Sequence, residues 1–123
     1  MSERQEYNIL SDVKYGYGRV IDIPREAADH EPWFNQTLTT VNDAVVRLGI
    51  FQGEFHFHKH DDQDEMFLVL EGQLILDIEG EGTVTLDRHQ GFTVRRGVVH
   101  RTRSPERSVV LMIEQVGVVA TGD

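Results

Sequence analysis

Residues 56–65 read HFHKHDDQDE, and the backbone assigned to that stretch decides what kind of chain this is. Three of the six histidines stand here on alternate positions, followed by the loop-type run DDQD and a glutamate. In a strand, alternate side chains share a face. Read as a strand over 54–60, the segment puts His56, His58 and His60 on one side with Glu54, and Phe55, Phe57 and Lys59 on the other. Neutral imidazoles without partners are costly to bury. A metal ion that takes their lone pairs removes that cost. A hairpin pairing 58–60 with 65–67 would add the Glu65 carboxylate, and His100, after the turn RRGVV, completes the candidates.

The rest of the sequence has the texture of short strands. NQTLTTV and AVVRLGIFQ are rich in β-branched and aromatic residues, with VND as the turn between them. EFHFH, EMFLVLEG, QLILDIEG, TVTLD, GFTVRRG, VVHRTRS and SVVLMIEQ follow, separated by KHDDQD, EG, EGEG, DRHQ, RRG and SPER. Eight or nine closely spaced strands with almost no helix predict an all-β sandwich or barrel. IPREAADHEPW (23–33) predicts one short helical turn or loop near the N-terminus, and residues 1–12 read as a loosely held lead-in. The expected organisation is residues 1–32 packing on a single barrel domain over 33–123. Phe51, Phe67, Val69, Ile75, Phe92 and Val94 alternate as barrel-lining residues, with Phe67, Gln73, Thr102 and His56 as pocket candidates. Met66–Leu70 and Val109–Ile113 are apolar on both faces. That predicts cover from a second copy of the chain, a homodimer, or from the N-terminal strands.

Composition narrows the function classes. The 123 residues fit one domain. A net charge of −9 argues against nucleic acid or an acidic membrane as partner. The late arginines Arg95, Arg96, Arg101, Arg103 and Arg107 are interleaved with turn and apolar residues and read as a mostly solvated face. With no cysteine, disulfides and thiolate sites are excluded. No stretch reaches the ~20 apolar residues of a spanning helix, and no secretory signal is visible. The expectation is a cytoplasmic protein.

The stretch Gly53-EFHF-His58-Lys59-His60-DDQD-Glu65-MFLVLE-Gly72 resembles the first motif of the cupin superfamily: a glycine, H-x-H, a glutamate and a closing glycine. His89-QGFTV-Arg95-Arg96-Gly97-VV-His100 is similar to the second motif, G-x5-P-x-G-x2-H, with His89 in place of the glycine and Arg95 in place of the proline. Ser104 stands where an asparagine often follows. The wider context looks like the small single-domain cupins grouped near the mannose-6-phosphate-isomerase-like proteins, over residues 33–123. The resemblance implies a jelly-roll β-barrel (a double-stranded β-helix) with His58, His60, Glu65 and His100 as ligands to one divalent metal, Fe, Mn, Ni, Co or Zn.

For these four residues the plain alternatives are a solvated strand end and a surface turn. His56 lies on the predicted ligand face outside the motif; it is the one candidate general base, and equally a second-sphere or hydrogen-bonded barrel histidine. His30 and His89 sit in loop-like contexts. Four ligands leave open positions on an octahedral ion, which suits a catalytic site. Beside a metal-free structural barrel that merely keeps the motif, which four intact ligands count against, the sequence carries two readings. One is a metal-dependent enzyme, of isomerase, lyase, cyclase or dioxygenase type, acting on a small polar, sugar-like or keto-acid metabolite. The other is a non-catalytic module that binds or senses a metal or small molecule such as a carbohydrate.

Overall fold

The computed structural model describes residues 6–122. Its elements are β1 (Asn8–Leu10), α1 (Ile23–Ala28), β2 (Phe34–Val41), β3 (Ala44–Glu54), β4 (Glu65–Glu71), β5 (Leu74–Ile78), β6 (Gly82–Leu86), β7 (Gly91–Val94) and β8 (His100–Gln115). The all-β expectation holds. The one helix falls where the two prolines bracket helix-tolerant residues. Asp22 caps it by accepting the Arg25 N–H at 3.2 Å, and a proline stands in its first turn.

The hydrogen-bonded path runs β1-β2-β3-β8-β4-β7, and the β5–β6 hairpin joins it through β8. The sheet coils into a jelly roll whose ladder is not closed, so side chains complete the enclosure. β8 is the organising strand. Its first part pairs with β5 (Leu76 opposite Thr102) and its second with β4 (Phe67 opposite Met112). SPER, which the sequence marks as a break, lies inside this strand. The register against β3 slips there, from Phe51 opposite Ser108 to Gly53 opposite Ser104, so the run makes a bulge where β8 changes partners. Gly72 turns β4 into β5 at φ +78, and a β-carbon there would come within 2.6 Å of the Arg107 carbonyl oxygen. Glycine is required at that point.

Two apolar layers result. The interior holds Trp33, Phe51, Phe55, Phe67, Val69, Leu74, Leu76, Ile78, Leu86, Val94, Val110 and Met112. Phe51, Phe67, Val69 and Val94 thus face inward as expected, and Phe92 packs half-buried against the same layer. Ile75 does not: Leu74, Leu76 and Ile78 are the buried set in β5, one position out of phase with the expectation. The second layer, Ala27, Phe34, Leu38, Leu48, Ile50 and Val109, lies on the other face, with Tyr15, Ile21, Ile23, Leu70 and Leu111 around it. Of the two covers the sequence left open, a second copy or the N-terminal segment, the N-terminal segment covers part of this face. Nor is the described lead-in loose. β1 pairs in parallel with β2, and Tyr7 meets Trp33, Phe51 and Phe55 edge-on at 5.4–6.2 Å.

Candidate metal centre

His58 and His60 are placed by a loop rather than by a strand, and that loop is locked to the start of β8, where His100 stands. β3 ends at Glu54, and the next segment is irregular. His58 and His100 exchange both backbone hydrogen bonds, each at 2.9 Å, forming an isolated bridge. The Gly97 N–H, at φ +76, donates to the His60 carbonyl at 2.7 Å and pins the far end. The expected strand over 54–60 and its pairing with 65–67 are therefore not formed. β4 lies between β7 and β8 instead, with Glu65 opposite Val94 and Glu114. The six residues from Phe55 to His60 mimic period-two alternation while following a looping path.

The four candidate donors nevertheless converge. One ligand atom each from His58, His60, Glu65 and His100 lies within 4.8 Å of all the others. Glu65 Oε1 stands 3.4 Å from both His60 Nε2 and His100 Nε2. Neighbouring ligands around a metal at about 2.1 Å have this kind of separation. None of these three atoms has a hydrogen-bond partner among the described residues, although all are buried. Buried polar atoms facing one another unbonded fit a cation held at their centre. The tautomers fit as well. His58 Nδ1–H donates to the His56 carbonyl at 3.0 Å, and His100 Nδ1–H donates to the Val98 carbonyl at 2.9 Å. Both rings thus present Nε2 lone pairs, as metal-bound imidazoles do. Burial pushes His58 down to about 4, which keeps it neutral and able to ligate at pH 7.

Electrostatics around Glu65 extend to a second buried acid. Burial alone would raise Glu65, but the His100 and His60 imidazoles and the Glu114 carboxyl outweigh it and hold Glu65 well below the usual carboxylate range. Burial and the Glu65 charge push Glu114 the other way. Glu65 therefore carries the negative charge and Glu114 the proton. Arg47 Nη1 lies 3.0 Å from Glu114 Oε1, and both side chains are buried.

Beside the donors is a cavity of about 20 Å³, room for roughly one water. Tyr7, Trp33, Phe51, Phe55 and Phe67 form its aromatic walls; Met112, Thr102 and Ala120 complete it together with His58 and Glu65. Phe67 and Thr102 are thus where the sequence put them. Gln73 is not at this cavity: its side-chain amide donates to Asp87 at 2.9 Å. His56 is exposed, its Nε2–H donating to the Thr121 carbonyl at 2.8 Å. Tyr7 and Ala120 escaped the sequence reading, because neither belongs to a motif and only the fold brings both chain ends to the site. Burial holds the Tyr7 phenol protonated, and its oxygen accepts from Asn35 Nδ2 at 3.1 Å. The arginine run is largely engaged elsewhere. Arg101 and Arg103 each bond Asp77 at 2.8 Å, and Arg107 bonds the Ala27 carbonyl at 2.7 Å. A larger open groove of about 510 Å³, beside Phe57, Asp77 and Val99, contains none of the four donors.

The cupin domain model (Cupin_2) matches residues 45–114, more than half of the chain. The chain belongs to the cupin family. This cupin is 44% identical over 80 residues to the uncharacterized protein YdbB of Bacillus subtilis (strain 168), a match covering 65% of this chain and 71% of that one. Among solved structures it is similar to a cupin-2 domain containing protein from Shewanella frigidimarina NCIMB 400. The two are 28% identical with a TM-score of 0.74, covering 78% of this chain and 94% of the other. Protein NMB1881 from Neisseria meningitidis, 22% identical, shares the fold at a TM-score of 0.72 over 79% of this cupin and 99% of that chain.

Proposed function

We propose that this cupin is a metal-dependent enzyme whose His58, His60, Glu65 and His100 hold one divalent ion of the Fe, Mn, Co, Ni or Zn group. The convergence of four donors with orphaned, buried ligand atoms carries the reading. Imidazole and carboxylate together suit these ions. The bound ion would supply Lewis acidity toward a chelating oxygen or, if iron, dioxygen chemistry.

The protein's own residues prepare the site for that role. The His56 and Val98 carbonyls fix two imidazoles in the ligating tautomer. Glu65 stays ionised while Glu114 keeps its proton and Arg47 stands behind it. Tyr7 offers a phenol that remains a donor at all ordinary pH, and the Trp33 indole N–H is buried without a partner among the described residues. Aromatic walls exclude water, which strengthens every electrostatic contact inside. These surroundings favour a keto acid or similar chelating molecule over a hydroxyl-rich sugar, because few polar groups line the cavity. The half-buried outer residues Met66, Leu68 and Ile113 support assembly as a homodimer.

A non-catalytic binding or sensing role is the second reading. It is favoured by the position of His56, the expected base, which is exposed and bonded to Thr121 rather than facing the cavity. The Co(II)-loaded protein, titrated with 2-oxo acids and assayed for turnover and oxygen uptake, separates the two. Perturbed visible bands with turnover, both absent from a His58→Ala/His60→Ala variant, support the enzyme. Perturbed bands without turnover of any acid tested support the binding module.

A further inference from the structure

Behind β8 the chain does not leave the site. Residues 116–122 fold back over it in two tight turns. Val118 is buried, and Ala120 forms part of the cavity wall. Gly122 lies so close to His58 that a β-carbon on it would stand 2.5 Å from the His58 β-carbon. The segment's ties to the rest of the fold are slight. Val116 N–H donates to the Asp43 carbonyl at 2.9 Å, and His56 holds the Thr121 carbonyl. Its other backbone bonds among the described residues, Val118 N–H to the Gln115 carbonyl and Gly122 N–H to the Val119 carbonyl, close local turns. Val116, Gly117, Val119 and Thr121 are exposed. Weakly tied segments of this kind open at low free-energy cost.

The cavity beneath takes about one water, too little for a chelating molecule to lodge in it while the segment is seated. Phe51, Phe67, Thr102 and Met112 stand in paired strands, and the Tyr7, Trp33 and Phe55 rings pack on one another at 5.2–5.7 Å. Ala120 is carried by a segment with two hydrogen bonds to the rest of the fold among the described residues. Opening there would expose a face made of Tyr7, Trp33, Phe55 and Phe67, in which the Trp33 N–H is an unused donor.

We propose that residues 116–122 are a strap that gates the metal centre, and that the site behind it takes a small molecule with a chelating head and an aromatic or branched apolar body. His56 is then a latch through Thr121 rather than a base. The ligand class rests on the metal reading given above; the strap does not.

The test uses two variants, a chain ended after Gln115 and Val118→Asp, neither of which alters a donor. Trp33 is the single tryptophan and lines the cavity, so acrylamide quenching of its fluorescence reports opening with or without metal. Quenching several-fold stronger than in the full chain, with a cooperative melt retained, is expected from at least one variant. In the metal-loaded protein, extraction by a chelator should quicken about tenfold or more. In the full chain, benzohydroxamate should bind about tenfold or more tighter than acetohydroxamate, since the two differ only in the apolar group buried. Its observed binding rate should level off with concentration, because opening becomes limiting. Unchanged quenching in every variant that keeps a cooperative melt, or a binding rate that rises linearly throughout, overturns the strap. Equal affinity for the two hydroxamates overturns the ligand class. A full chain that binds no metal at all would sink the metal reading, while the quenching result would still decide the strap.

Discussion

Of the glutamates buried among the described residues, Glu26 lies against the outer apolar layer and Glu65 in the inner one, and their surroundings differ in kind. Glu26, on α1 against the outer layer, receives Lys14 Nζ at 2.6 Å and the Tyr15 hydroxyl, with His30 Nε2 at 3.6 Å. Burial would raise its pKa, but these donors lower it on balance. Every demand of that carboxylate is met from within the chain. Glu65, in the inner layer, faces two imidazoles whose Nε2 atoms stand 3.4 Å from it unbonded, and a second acid in register across the ladder. The one guanidinium nearby, Arg47, is directed to Glu114. A buried carboxylate with its cation in the sequence is a structural device. One ringed by neutral nitrogen donors calls for a cation from outside.

Three substitutions press on this contrast. The largest effect is expected from Arg47→Met, which leaves two acids and no internal cation in the inner layer. It should destabilise the metal-free protein by about 3–5 kcal/mol, read from urea unfolding. A loss under about 1 kcal/mol would mean that Arg47 does not balance the Glu65–Glu114 pair. Glu26→Gln should cost less, about 1–2 kcal/mol at pH 7, and leave metal affinity unchanged. Because the Glu26 pKa is depressed on folding, its contribution is present above the ordinary carboxylate pKa of about 4.3 and is lost as pH falls through the lower folded value. The gap between wild type and Glu26→Gln should therefore close in strong acid; a gap independent of pH would contradict the ionic account. The smallest effect is expected from His89→Gly. His89 adopts φ +71 at the position where the cupin motif has glycine, and the substitution should add about 0.5–1 kcal/mol in thermal unfolding with no change at the site.

How far the sequence could be read follows the same division. The donors His58, His60 and Glu65 were legible because their spacing is short-range information, preserved whether the backbone runs straight or loops, and His100 because it closes a second motif of its own. The strand through them was not: Phe55 and Phe57 complete an alternating pattern, yet Phe55 is buried in the core and Phe57 half exposed on an irregular path. SPER looked like a turn because a proline beside charged residues usually is one. In the fold it sits at the slip where β8 exchanges β5 for β4, and a bulge tolerates the missing N–H. Gln73 and Ile75 were misassigned by one strand phase, which no local signal fixes. Tyr7, Ala120 and the 116–122 segment were beyond reach, since only tertiary packing joins the two chain ends at the cavity.

The central claim is that the inner layer is completed by one metal ion on four side chains. Elemental analysis of protein purified without added metal or affinity tag, beside the His58→Ala/His60→Ala variant, tests it most directly. The account predicts about one equivalent of Fe, Mn, Co, Ni or Zn in the wild type and none in the variant. A wild-type protein that is empty as purified and takes up none of these ions when they are supplied would contradict it.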